Sequence, residues 1–90
     1  QLVEFQADAS ILDPIFDIFG DKVEIIPDED GKFHFKAAVQ LSPTFFGWCL
    51  SFGDKLQVIG PDEVVANVTD YIQSLMDGYR KDRRNNLYER

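Results

Sequence analysis

The chain has a single cysteine, Cys49, a single histidine, His34, and neither a CxxC nor an HxxxH pattern. One cysteine excludes an internal disulfide and fits a reducing compartment. A zinc-type site needs clustered thiolates and imidazoles, and these are missing. No apolar run approaches the ~18 residues of a membrane span, and no signal-peptide pattern is present. The expectation is a cytoplasmic protein with no membrane contact. Cations are scarce as well: residues 1–79 hold four Lys/Arg against fourteen Asp/Glu. Such an acidic body repels phosphate and argues against autonomous binding of duplex DNA.

Catalytic patterns are equally thin. The loop after the first strand, Ala7-Asp8-Ala9-Ser10, is acidic and lacks the glycine and arginine of an anion cradle, which excludes acyl-phosphate hydrolysis there. Asp28-Glu29-Asp30 precedes Gly31 without the spacing or distal Glu of a calcium loop, so it reads as a polar hairpin turn. Cys49 lies among aromatics and reads as a small buried hydrophobe. As a nucleophile it has no assured base, because His34 falls on the opposite sheet parity. The convergent titratable set of an active site is absent, and the expectation is a non-enzyme without a cofactor.

What is present builds a core. Ninety residues make one domain, and 44% are hydrophobic, with eight Phe, one Trp and three Tyr. A domain of this size buries roughly 60–65% of the surface its unfolded chain exposes, enough to fold without staples. Leu2-Val-Glu-Phe-Gln-Ala7 alternates as a half-buried strand with Val3, Phe5 and Ala7 inward. A helix follows to about Phe19, capped by Ser10 or by Asp13 ahead of Pro14, with Leu12, Phe16 and Phe19 on one face and Gly20 at its end. Val23 and Ile25 begin a second strand. Gly31 supplies the positive φ of the Asp28–Gly31 turn. The third strand, Phe33 to Leu41, turns Phe33, Phe35, Ala37, Val39 and Leu41 one way and His34, Lys36, Ala38 and Gln40 the other.

Ser42-Pro43 reads as cap and first residue of a short helix over 43–52, closed by Gly53. Leu56–Ile59 is a fourth strand. Pro61 opens a last helix with Asp62 and Glu63 in its first turn and an apolar stripe of Val64, Val68, Ile72, Leu75 and Tyr79. The order predicts an α+β fold, a ferredoxin-like βαββαβ sandwich with an additional C-terminal helix. Its open sheet face would carry Glu4, Gln6, Glu24, Ile26, His34, Lys36, Ala38, Gln40, Gln57 and Ile59. Without aromatics there, base stacking of the RNA-binding kind is not expected.

Two features remain as candidate contacts. Phe45, Phe46, Trp48 and Phe52 crowd around Cys49 and cannot share one side of a helix. Positions 45, 48, 49 and 52 form one stripe; 46 and 50 form another. Either both are used internally, or the stripe around Phe46 and Leu50 is left for another subunit or domain. The second feature is charge: residues 80–90, RKDRRNNLYER, carry five basic and two acidic residues. They read as a basic, flexible tail over 82–90 after a domain spanning 1–81, or as an electrostatic contact through Arg80 and Lys81. The candidate interaction residues are therefore Phe46, Trp48, Leu50, His34, Lys36, Arg80 and Lys81.

The run Trp48-Cys-Leu-Ser-Phe-Gly53, the strand ending Val58-Ile-Gly-Pro61, the long helix to Tyr79 and the leading strand with Asp13-Pro-Ile-Phe-Asp17 form a pattern over about residues 2–80. It resembles the C-terminal extension, or WCX domain, of WYL-domain transcriptional regulators. The resemblance implies a bacterial regulator with an N-terminal winged helix-turn-helix that contacts DNA, a central WYL domain that senses a ligand, with nucleotide or nucleic acid proposed, and this domain last. It further implies a homodimer, contact between this domain and a WYL domain, and coupling of ligand state to DNA binding. Phe46, Trp48, Leu50 and the open sheet face would make those contacts. Val65 stands where the family often has a basic residue, so no polar contact is carried over to that place. No WYL tripeptide occurs, which puts the sensor outside this chain. The chain also opens directly on strand-like residues without a methionine, so an upstream part of a larger protein is expected. A different class also has this topology: a small-molecule-sensing module of the ACT type, attached to an enzyme or transporter. A glycine-rich loop after the first strand would favour it, and Ala7–Ser10 is not one.

Overall fold

The computed structural model describes residues 1–89, with side chains through Lys81. Four strands form one antiparallel sheet in the order β2-β3-β1-β4. They are β1 (Leu2–Asp8), β2 (Ile26–Pro27), β3 (Lys32–Ala38) and β4 (Leu56–Gly60). Three α-helices accompany them: α1 (Leu12–Phe19), α2 (Pro43–Leu50) and α3 (Asp62–Glu89). The coarse expectation of an α+β chain is met.

Alternation along the strands sets the layers. β1 and β3 pair with Phe5 opposite Phe35, Val3 opposite Ala37 and Ala7 opposite Phe33. All six are buried, and they form the core with Ile11, Ile15, Cys49, Leu56 and Val64. Because side chains alternate with a period of two, one inward parity places every second residue outward. Phe33 and Phe35 are 4% and 1% exposed, so the rings point inward as the pattern requires. Phe5 and Phe35 stack at 4.9 Å, and Phe19 tilts against both. Pairs of this kind contribute about 0.5–1.5 kcal/mol each beyond their buried area.

Local chemistry shifts several boundaries. The helix after β1 begins at neither Ser10 nor Asp13. Asp8 accepts from the Ser10 amide at 2.9 Å and caps a 3₁₀ turn over Ala9–Ile11, which runs into α1. Pro14 sits in the first turn of α1, where its missing N–H has no intrahelical partner to lose. Ile15 is the fully buried residue of α1, while Phe16 is only half-buried.

Strand β2 is confined to Ile26–Pro27; Val23 and Ile25 pack on the core from irregular backbone. Proline has no amide to donate, and this is an edge strand, so the short ladder has a physical cause. The hairpin that follows has Asp30 and Gly31 at φ 61° and 72°. Two consecutive positive φ values are what a two-residue hairpin of the I′ kind demands, and Asp-Gly is a favoured pair for it.

Ser42 Oγ accepts from the Phe45 amide at 3.1 Å, so the predicted cap is present. Helix α2 stops at Leu50 rather than 52, and a second 3₁₀ turn over Gly53–Lys55 leads into β4. Pro61 lies just ahead of α3, its carbonyl accepting from Val64 and Val65. The basic tail expected over 82–90 lies outside the residues whose side chains are described.

Candidate interaction surface

The sequence-selected residues fall in three places. On α2, Trp48 packs edge-on against Phe19 at 5.5 Å and Phe52 at 5.1 Å, and Phe45 reaches Phe5 at 6.1 Å. Phe46 turns the other way and meets Tyr71 of α3 at 5.1 Å. Both stripes of α2 thus have partners inside the domain, and Phe46, Trp48 and Leu50 are all half-buried.

On the open sheet face, Gln6 Nε2 donates to Asp28 Oδ2 at 3.1 Å, and His34 Nδ1 lies 3.6 Å from the same oxygen. Asp28 Oδ1 accepts from the Glu29 amide. That amide, then the Gln6 side chain, holds the Asp28 carboxyl below its ordinary 3.8. Lys36 is exposed beside His34, and the two line a hollow of about 270 Å³ with Glu4, Glu24 and Ile26. A second hollow of about 190 Å³, at the end of β1, mixes Lys32 and Lys55 with Asp8 and Asp54. Opposite charges in near balance give neither hollow a preference for anions or cations.

The third place is α3. Its first turns are sunk against β4, with Val64 fully buried and Val68 half-buried. Further along the same stripe, exposure rises to 38% at Ile72, 39% at Leu75, 42% at Met76 and 70% at Tyr79. Arg80 and Lys81 follow, both exposed. The helix outruns the sheet: twenty-eight residues span about 42 Å at 1.5 Å each, within a molecule 52 Å in its longest dimension.

Between α2, β4 and α3 lies an apolar groove of about 270 Å³, with Leu50, Val58, Val65, Val68 and Ile72 in its walls and Cys49 at its base. Sequence reasoning missed it. Its trace was Val65 and Thr69, short side chains flanking the α3 stripe where longer ones would have closed the space over β4. Thr69 Oγ1 donates back to the Val65 carbonyl at 2.9 Å, which spends its polarity on its own helix. Burial pushes the Cys49 thiol up to about 11, so it is a neutral thiol rather than a nucleophile at neutral pH.

Among the described residues, no group of three His, Cys, Asp or Glu side chains could hold a metal ion. No described helix is long and apolar enough to cross a membrane. The surface can offer apolar contact and charge, and it concentrates the apolar part on α2, β4 and α3.

No curated protein and no solved structure matches the chain. A family model described as the WCX domain matches residues 1–76, which takes in the whole sheet, both short helices and the stripe of α3 as far as Met76. The chain belongs to the WCX domain family.

Proposed function

We propose that this chain is the C-terminal regulatory domain of a bacterial WYL-type transcriptional regulator. The observation that carries the reading is the WCX match over residues 1–76. Two further features support it. The acidic charge suits a part that does not touch DNA, and the exposed apolar surface suits one that works by contact. The domain acts as a homodimerising element and as a relay: effector binding to a neighbouring WYL domain shifts the packing between the two, and that shift biases the DNA-binding part. A nucleotide or nucleic acid is the class of effector considered, and the compartment is the cytoplasm. The fold is read as ferredoxin-like, on the strand order β2-β3-β1-β4 with α1 and α2 as the crossovers. Differential contact, not chemistry, is the mechanism, so the domain is not an enzyme.

The test uses the parent regulator with and without this domain, in a DNA-binding titration repeated with a short single-stranded oligonucleotide as effector probe. The expected result is DNA binding in both forms, with an oligonucleotide-dependent change of affinity only in the intact chain. Loss of the domain without any change in that response would refute the relay.

A further inference from the structure

Strand β4 stands at one end of the sheet and pairs with β1 alone. Backbone amides and carbonyls are obligatory hydrogen-bonding groups, and an unpaired edge is a template for another strand. Among the described residues, no backbone hydrogen bond joins residues 56–60 to anything but β1. The register with β1 shifts between Glu4 and Phe5, so residues 56–58 are the regular part of that edge.

The apolar groove runs beside the same edge. Leu56, Gln57 and Val58 all line it, although neighbours in a strand point to opposite faces. A hollow that reaches both parities lies at the side of the strand, not over one face of it. Its far wall is α3, through Val65, Val68, Thr69 and Ile72. A free strand edge with a helix alongside and a slot between them has two means of holding an extended peptide. Main-chain bonds to the edge supply affinity, and alternate side chains entering the slot supply selection. The groove suits side chains better than a free ligand, since its 270 Å³ is below the ~300–1,000 Å³ of drug-sized pockets.

The surroundings define the peptide's chemistry. Side chains turned toward α3 meet Leu56, Val58, Val65 and Val68, so these positions are apolar. Those turned the other way continue the polar sheet face beside the exposed Gln57. Asp54 before β4 and Asp62 and Glu63 after it outnumber Lys55, in a chain of net charge −7, which favours basic flanks. A folded second copy has no strand to give. Its β1 and β3 are interior to the sheet, its β2 is two residues ending in Pro27, and its β4 is flanked by its own α3.

We infer that the β4 edge and the groove beside it bind an extended segment of a different polypeptide by strand addition, apolar at every second position and basic at its ends. This site goes beyond the regulatory role proposed above and does not depend on it.

Nitrogen-15 NMR of the 90-residue chain, titrated with the capped peptide Lys-Val-Thr-Val-Thr-Val-Lys, tests it. The expected result is amide shifts at residues 56–58 and 65–72, with slowed amide exchange at 56–58. Alternate amides of a strand point to opposite edges, so N-methylating either the valines or the threonines removes the bonding edge. At least one of these two peptides should bind about tenfold more weakly or worse. Thr69→Trp fills the slot and should weaken binding as much, while Leu2→Glu, on the open face, leaves it unchanged. Thr69 is exposed, so its variant keeps the fold, checked by circular dichroism. Several results would overturn the inference: no shifts up to about 1 mM peptide, shifts confined to the open sheet face, unchanged affinity in Thr69→Trp, or unchanged affinity of both methylated peptides. Shifts at 56–58 that follow the chain's own concentration without peptide would give the edge to a second copy and overturn it too.

Discussion

Phe35 shows how much a single side chain carries here. It stacks on Phe5, is tilted against Phe19 and stacks again with Phe33 at 5.9 Å, with almost no exposure of its own. Truncating such a ring leaves both a lost transfer energy and a cavity, so Phe35→Ala should cost about 3–5 kcal/mol in a urea titration. For a domain whose total stability is on the order of 5–15 kcal/mol, that is enough to unfold much of the population at 37 °C. Ser42→Ala removes the α2 cap and should cost about 0.5–2 kcal/mol, with Ser42→Asp retaining most of it. Acid acts through Asp8 and Asp28. Amide donation from Ser10 and Glu29 respectively lowers both carboxyls from 3.8 in the folded state. Their contribution is therefore complete above 3.8 and is lost as pH falls through the lowered folded values. A urea midpoint that drops as pH falls below 3.8, and drops less in Asp8→Asn, is the expected outcome. At the alkaline end Cys49 behaves oppositely: folding holds its proton up to about 11 against 9.0, so its contribution is lost between those values. A thiol reagent at pH 8 should modify Cys49 only after denaturant is added.

At the scale of elements, α3 divides into two halves with different physics. Val64 is fully buried while Tyr79 is mostly exposed, although both belong to one apolar stripe. Val64→Ala should therefore cost about 1.5–3 kcal/mol, and Tyr79→Ala should change the monomer's stability by less than about 0.5 kcal/mol. Amide hydrogen exchange should follow the same gradient, with slow exchange near Val64–Val68 and faster exchange beyond Ile72. The stripe itself was legible, because a spacing of three and four needs only the helix period. Its division was not, because the pattern is blind to where the sheet ends. The same holds for the second strand. The parity of Val23, Ile25 and Ile26 was correct, but periodicity does not reveal how many residues an edge strand will pair, and Pro27 limited that number. The start of α1 was misjudged because Ser10 and Asp13 both satisfy the cap preference; only the backbone path shows Asp8 reaching the Ser10 amide.

On the scale of the whole molecule, an inward set of rings forces an outward set of small and charged side chains on the other sheet face. Sequence parity made that legible where the strand forms: Phe33 and Phe35 lie inside and His34 and Lys36 line the open face, but β3 ends at Ala38, so Val39 and Leu41, expected within the strand, pack on the core from irregular backbone. The candidate contacts were legible only as residue types. Phe46 was read either as packed inside the domain or as left for another subunit, and Tyr71 supplies an internal partner from another element. Likewise the groove over β4 depends on three elements meeting, which no single-segment pattern contains. The function proposed above gives the domain's work to surfaces that contact other domains. Deleting it from the parent regulator and titrating DNA with and without a single-stranded oligonucleotide tests that account most directly. The account predicts that DNA affinity responds to the oligonucleotide only when the domain is present. An identical response in the truncated protein would contradict it.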